Sequence, residues 1–241
     1  MADGSVPRRV LLKLSGEALM GQSAFGIDPD VLRRVAGEIK TAVDKGIQVA
    51  IVVGGGNFFR GVAVSSQGMD RAAADTMGML ATVMNGLAMS DVLTNMGVVN
   101  RVMTAISMDQ VAEPYIRKRA MHHLSRGQVT IFVAGTGSPY FTTDTAAALR
   151  AAEIGADVFF KATKVDGVYD SDPKTNPDAK FFERLTFDEC ISRQLGVMDT
   201  TAMALCRENK TPIVVFNMAK DDNIARALVG ERLGTIIEGT V

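Results

Sequence analysis

Two lysines stand inside runs of apolar residues: Lys13 in VLLKLSG (10–16) and Lys161 in DVFFKAT (157–163). A lysine flanked by leucines on a buried strand must find an anion or escape to solvent, because an unpaired ammonium is costly to bury. Both lysines fall close to Gly- or Thr-rich segment ends. Arg60 adds a further cation in VVGGGNFFRG (52–61), four residues after the last of three consecutive glycines. Glycines let backbone N–H groups face an anion with no Cβ in the way. Thr142, Thr143 and Asp144, in VAGTGSPYFTTD (133–144), open a helical stretch. That is an ordinary capping arrangement and also an anion site through the helix dipole. What these residue types have in common is the ability to neutralise anionic charge.

Each feature also has a plainer account. Glycines after a strand often serve only a turn. Asp75 lies four residues after Arg71 on a helix, the spacing of a surface ion pair. Asp144 can be read as a helix-start residue and nothing more. His122 and His123 are adjacent, do not share a helix face and make a poor metal site. Cys190 and Cys206 are the only cysteines, too few for a disulfide framework and without a CxxC spacing; they read as buried small apolar residues. No lysine follows a glycine, which excludes GxxxxGK[ST]. GGGNFFRG and GTGSPYF both fail GxGxxG, which demotes a dinucleotide oxidoreductase, and no GxSxG elbow is present.

The positioning elements follow from periodicity and punctuation. Apolar runs predict strands at 10–16, 47–53, 98–106, 129–135, 157–163, 212–218 and 234–239. Between them, helical patterns span 28–46, 70 to about 95, 114–127, 144–155, about 186–195 and 199–209, with a short helix before the last strand. In the first helix Asp28 caps, Pro29 suits the first turn, Val31, Val35, Ile39 and Val43 form the apolar stripe, and Gly46 supplies a left-handed stop. Met77, Leu80, Met84 and Leu87 form a second stripe, for the core or a subunit contact, with an adaptable Met-rich binding surface as the alternative. Strands alternating with helices predict an α/β fold: a three-layer αβα sandwich around a mainly parallel sheet. A single domain is expected, with an N-terminal lobe over about 8–155 and a C-terminal lobe over about 156–241. Ligands in such sheets bind at the carboxyl ends of the strands, where the four unusual loops fall.

The chain has 241 residues, of which 47% are apolar, and 26 Lys+Arg balance 27 Asp+Glu for a net charge of -1. No global basic field favours nucleic acid. The start, MADGSVPRRV, has no apolar core of a signal peptide. The longest uncharged stretches fall short of the ~18–20 apolar residues of a membrane span. A reducing, cytoplasmic setting is expected.

LLKLSGEAL, VVGGGNFFRG, MGMLATVMNGLAM, GTGSPYFTTDTAA, KATKVDGVYDSDP and VFNM, taken in order, resemble the bacterial uridylate kinases of the amino-acid-kinase superfamily, over about residues 8–239. That family is unrelated to the P-loop kinases, which agrees with the missing Walker motif. The resemblance implies a carbamate-kinase-like fold and transfer of a phosphoryl group from ATP to UMP, with Mg²⁺, in pyrimidine nucleotide synthesis. The N-terminal lobe would take the acceptor and the C-terminal lobe ATP. By the same resemblance Lys13, Leu14, Ser15 and Gly16 would meet ATP, as would Gly56 and Arg60. Gly55 would meet UMP, Asp75 its ribose, and Thr136, Gly137, Ser138, Pro139, Tyr140, Phe141, Thr142 and Thr143 its phosphate and uracil. Thr163, Tyr169 and Asp172 would bind adenosine. Lys13, Lys161 and Arg60 would act on the moving phosphoryl group, with Asp144 orienting the lysines or the metal.

Members of that family are homohexamers built from dimers, activated by GTP and inhibited by UTP. Gly21, Gln22, Ser23, Ala24, Phe25 and Gly26 fall in the effector segment, and Arg101 matches a basic effector position. Ser90, Thr94 and Gln128 stand where other members carry Arg or His, so a weaker or altered GTP response is expected. The chemistry fits the residue types. A phosphate monoester has its second pKa near ~6 and is already an anion, so no general base is needed. What remains is charge neutralisation and positioning. Two other readings stay open: phosphorylation of a carboxylate or carbamate, and nucleotide binding without turnover.

Overall fold

The computed structural model describes residues 6–59 and 68–239. Arg60 lies outside the described residues. Among the described residues, eleven strands form a nine-stranded sheet and a separate two-stranded ribbon. In chain order they are β1 (Arg9–Leu14), β2 (Gln48–Val53), β3 (Asn100–Thr104), β4 (Glu113–Pro114), β5 (Val129–Val133), β6 (Val158–Thr163), β7 (Val168–Tyr169), β8 (Phe181–Phe182), β9 (Arg184–Thr186), β10 (Ile213–Asn217) and β11 (Thr235–Glu238). The large sheet runs β4-β3-β5-β2-β1-β6-β10-β11-β9, and β7 pairs with β8. Every neighbouring pair in the large sheet is parallel except β10 with β11.

The helices are α1 (Pro29–Asp44), α2 (Arg71–Asn95), α3 (Arg117–Ser125), α4 (Thr143–Ile154), α5 (Phe187–Ser192), α6 (Thr200–Glu208) and α7 (Asn223–Leu228), with a 3-10 turn at Gly16–Met20. Their ends follow local chemistry. Asp28 accepts from the amides of Asp30 and Val31 to start α1, with Pro29 at its first position. Gly46 takes φ +82° just past its end. Thr186 and Glu189 form a reciprocal capping box on α5.

Side chains alternate across each strand, so the sheet carries two cores. Val10, Leu12 and Leu14 of β1 and Phe160 and Ala162 of β6 pack under α1, α2 and α7. Leu11 and Phe159 point the other way, against α4 and α6. That parity decides the fate of the two lysines. Lys13 follows Leu11 by two residues and Lys161 follows Phe159 by two, so both belong to the α4 face, and they are direct cross-strand partners.

The predicted strands and helices all form, with ends shifted by a few residues. The 3-10 turn and the short strands β4, β7, β8 and β9 are additions, too brief to show periodicity. One apolar stripe behaves differently from a core. Met77, Leu80, Met84 and Leu87 are 38–48% exposed, whereas Met79, Val83 and Met89 on the other side of α2 are buried. The stripe is therefore no part of this chain's own core.

Candidate active site

The sheet's central strands deliver four loops to one end, as parallel strands do. Lys13 and Lys161 meet there under the start of α4. The Lys13 ammonium lies 2.9 Å from Oδ1 of Asp144, and the Lys161 ammonium donates to Oδ2 at 2.6 Å. Lys161 also donates to the carbonyl of Val197. All three side chains are largely buried, at 11–14% relative exposure. The sequence demanded an anion for each lysine, and one carboxylate serves both.

This sharing sets the electrostatics. Burial pushes the Asp144 carboxyl up, but the neighbouring Lys13 and Lys161 ammoniums outweigh it and hold the group below the ordinary carboxylate value. Burial pushes the Lys161 ammonium down; Asp144 pulls it up, and Lys13 pushes it down again. The Asp199 carboxylate also pulls the Lys161 ammonium up from nearby, and Lys161 lines the larger cavity, where it can meet an anion.

Two cavities open on this seam. The smaller, of about 190 Å³, is walled by Gly55, Gly56 and Phe59, by Asp75, Gly78, Met79 and Thr82 of α2, and by Gly135, Thr136, Phe141, Thr142 and Thr143. The larger, of about 440 Å³, is walled by Lys161, Thr163, Tyr169, Asp170 and Asp172 on one side and Arg193–Val197 on the other. Asp144, next in sequence to Thr143, bonds Lys161, so the cavities meet at that pair.

The triple glycine serves close approach, and its first contacts are with the protein itself. None of Gly54, Gly55 and Gly56 has a left-handed φ. A Cβ on Gly55 would fall 2.6 Å from the Gly78 carbonyl oxygen and 2.9 Å from Cβ of Ala81. A Cβ on Gly16 would fall 2.5 Å from the Gly54 carbonyl oxygen. The loop is thus pressed between the end of β1 and helix α2. The facing loop is similarly fixed: the amide of Ala134, at φ +61°, donates to Oγ1 of Thr82 at 2.8 Å, and the amide of Tyr140 donates to Oδ2 of Asp75 at 2.8 Å.

The remaining predicted residues divide. Asp75 forms the expected ion pair with Arg71 (2.8 Å) and also lines the smaller cavity. Gly56, expected on the ATP side, lines the smaller cavity. Leu14 is fully buried, and its carbonyl accepts from the amide of Gly54, so its side chain belongs to the core. Ser15 and Gly16 continue the same turn. Gly137, at φ +81°, packs on Ala105, and Tyr140 is 66% exposed. Gly21–Gly26 form a turn whose last amide donates to the carbonyl of Asn57, while Arg101 lies on β3. His123 pairs with Glu113 at 3.0 Å. Burial pushes the Cys190 and Cys206 thiols up to about 11 and about 12, which leaves them inert small apolar residues.

Asp199 is a site residue that the sequence did not single out. Its carboxylate accepts from the hydroxyls of Thr142 and Thr145 and from the amide of Ala202, tying the starts of α4 and α6 together. An Asp before a helix announces a cap; nothing in the sequence tells that the same group reaches a second helix. Among the described residues no cluster of three His, Cys, Asp or Glu could hold a metal ion.

The profile of the amino acid kinase family matches residues 8–217. The structure superimposes on UMP kinase from Bacillus anthracis with a TM-score of 0.93 and 42% identity, covering 98% of this chain and 97% of the other. UMP kinase from Ureaplasma parvum gives 0.90 and 41%, covering 96% and 98%. Uridylate kinase from Archaeoglobus fulgidus gives 0.72 and 28%, covering 95% and 99%.

Proposed function

This chain belongs to the amino acid kinase family, and on that premise we propose that it is a nucleoside monophosphate kinase that moves the terminal phosphoryl group of ATP to UMP. The observation that carries the mechanism is the register of Lys13 with Lys161 over one shared Asp144, at the seam of two cavities.

UMP occupies the smaller cavity and ATP the larger one. The acceptor phosphate oxygen is already ionised near neutral pH, so transfer needs no base at the seam. Its obstacle is repulsion between two polyanions. Lys13 and Lys161 offset that repulsion where the charge passes, and Asp144 fixes both ammoniums so that little reorganisation accompanies transfer. Thr142 and Thr143 place the start of α4, with its partial positive charge, beside the acceptor phosphate. Arg60 is assigned to the same task by resemblance. Mg²⁺ would enter with ATP and would supply further charge neutralisation, since the described residues offer no cluster that could hold it alone. With both oxygens of Asp144 facing ammoniums, its part in this scheme is to orient the lysines.

The exposed stripe of Met77, Leu80, Met84 and Leu87 supports a homo-oligomer, with a hexamer built from dimers as the proposed assembly. Among the described residues no helix is long and apolar enough to cross a membrane. GTP activation and UTP inhibition are part of the reading, as is a cytoplasmic location. The GTP response is expected to be weaker or altered. Ser90 donates to Asn100 (2.6 Å) and Thr94 donates to the Ser90 carbonyl (2.8 Å), so neither hydroxyl presents a cation or a spare donor. Rate against GTP at fixed UMP measures this, and strong activation at micromolar GTP refutes it.

The decisive experiment is a coupled ADP-release assay with UMP, CMP, dUMP, acetylglutamate and carbamate as acceptors, repeated with GTP and UTP. Turnover highest with UMP supports the assignment. Turnover only with a carboxylate or carbamate, or none at all, overturns it.

A further inference from the structure

Beneath the glycine loop, and lining neither cavity, two buried asparagines face each other. Asn57 is 2% exposed and Asn85 is fully buried. Their amides bond reciprocally: Nδ2 of Asn57 donates to Oδ1 of Asn85 at 2.8 Å, and Nδ2 of Asn85 donates to Oδ1 of Asn57 at 2.7 Å. Each amide has a second acceptor. Asn85 donates to the carbonyl of Gly54 at 2.7 Å, and Asn57 donates to the carbonyl of Gly26 at 2.9 Å. The pair therefore ties the glycine loop to α2 and to the turn before α1. A Cβ on Gly16 would fall 2.7 Å from Oδ1 of Asn57, so the same knot bears on the end of β1.

We propose that Asn85, through its reciprocal amide pair with Asn57, is a positioning residue for phosphoryl transfer: it fixes the glycine loop against α2 and against the strand that carries Lys13. Two donors and two acceptors satisfied reciprocally fix one register, whereas an apolar pair of similar volume would permit others. Misplacement by about an ångström is enough to cost transfer up to about a hundredfold, even when the displaced group lies away from the chemistry. The inference rests on the kinase reading above.

The test compares two buried asparagines under the same helix. Asn100, 8% exposed, is held by Ser90, Thr94 and the Val98 carbonyl and touches neither cavity. Asn85→Leu and Asn100→Leu are assayed as full-length chains for kcat and for the KM of UMP and of ATP, alongside thermal melting. Asn85→Leu is expected to lower kcat about ten- to hundredfold with both KM values within about threefold. Asn100→Leu is expected to lower the melting temperature and leave kcat unchanged. Wild-type kcat in Asn85→Leu, or an equal fall in both variants, overturns the proposal. If Asn85→Leu does not fold, Asn57→Ala, which breaks the pair from the loop side, is read by the same criteria. Wild-type protein that releases no ADP with UMP overturns the kinase reading and this inference together; wild-type turnover retained by the variants overturns this inference alone.

Discussion

The two cavities that meet at the lysine pair are built differently. The smaller is enclosed by backbone pressed on backbone, with Gly55 against Gly78, Gly54 against Gly16 and Gly137 against Ala105. Buried side chains of α2, Thr82 and Asn85, hold its two loops from behind. The larger is enclosed by the segments around Thr163–Pro173 and Arg193–Val197, with the two-stranded β7–β8 ribbon at its side. One wall is set by steric closeness that tolerates no added atom, the other by polar loops around more than twice the volume. The difference suits the cargo proposed for each. A monophosphate held in a small rigid cup gains orientation, whereas a triphosphate with its metal needs room.

The seam should give the largest effects, because both sides depend on it. Lys13→Ala or Lys161→Ala is expected to lower kcat by about 10²–10³, the scale of losing one preorganised donor. Wild-type turnover in either variant removes that lysine from the mechanism. Asp144→Asn leaves two buried ammoniums without their shared partner and should cost about 3–5 kcal/mol of stability at neutral pH. The pH dependence has a definite sign. The Asp144 carboxyl is held below its ordinary value in the folded protein, so its contribution is full above the unfolded value of 3.8 and is lost as pH falls through the folded value. Denaturant unfolding of wild type and variant should therefore differ by a constant amount above that range and converge below it. A gap that persists in acid, or that is absent at neutral pH, contradicts the assigned role.

Gly55→Ala probes the acceptor wall alone. Its new Cβ would lie too close to the carbonyl of Gly78 and to Ala81, so the loop or α2 must shift. Overpacking of this kind costs about 1–3 kcal/mol, and the UMP KM should rise about tenfold while the ATP KM moves by less than about threefold. Equal changes in the two KM values would erase the contrast between the cavities.

Much of this was legible in the sequence, for reasons particular residues make plain. Lys13 and Lys161 stood out because a cation in an apolar strand has few outcomes, and strand parity then put both on one face. The caps at Asp28 and Thr142 and the stop at Gly46 are local, so the sequence carries them directly. What was not legible is nonlocal. That one carboxylate would serve both lysines depends on the docking of α4 across the sheet. The three glycines could be read as exposing amides to phosphate. Their closeness to α2 and β1 appears only when those elements are packed. Asp199 reads as a cap for α6, and its second duty toward Thr142 and Thr145 needs the fold. The strands β4, β7, β8 and β9 have two or three residues each, too few for any period.

The smallest expected effect lies at Asp75, where a conservative change keeps one contact and gives up another. Its carboxylate accepts from the Tyr140 amide at 2.8 Å and pairs with Arg71 on the rim of α2. Asparagine keeps an oxygen for the amide but loses the charge. The Arg71 side chain is 40% exposed, so the lost ion pair is worth about 1 kcal/mol or less. The assigned ribose contact is made alike in ground state and transition state, so its loss should appear in binding. Asp75→Asn is thus expected to raise the UMP KM by about three- to tenfold, with a smaller change in kcat and none in the ATP KM. An unchanged UMP KM would reject the ribose role. A rise in the ATP KM as large as that for UMP would mean that the wall of the smaller cavity also shapes the larger one, against the division drawn between them.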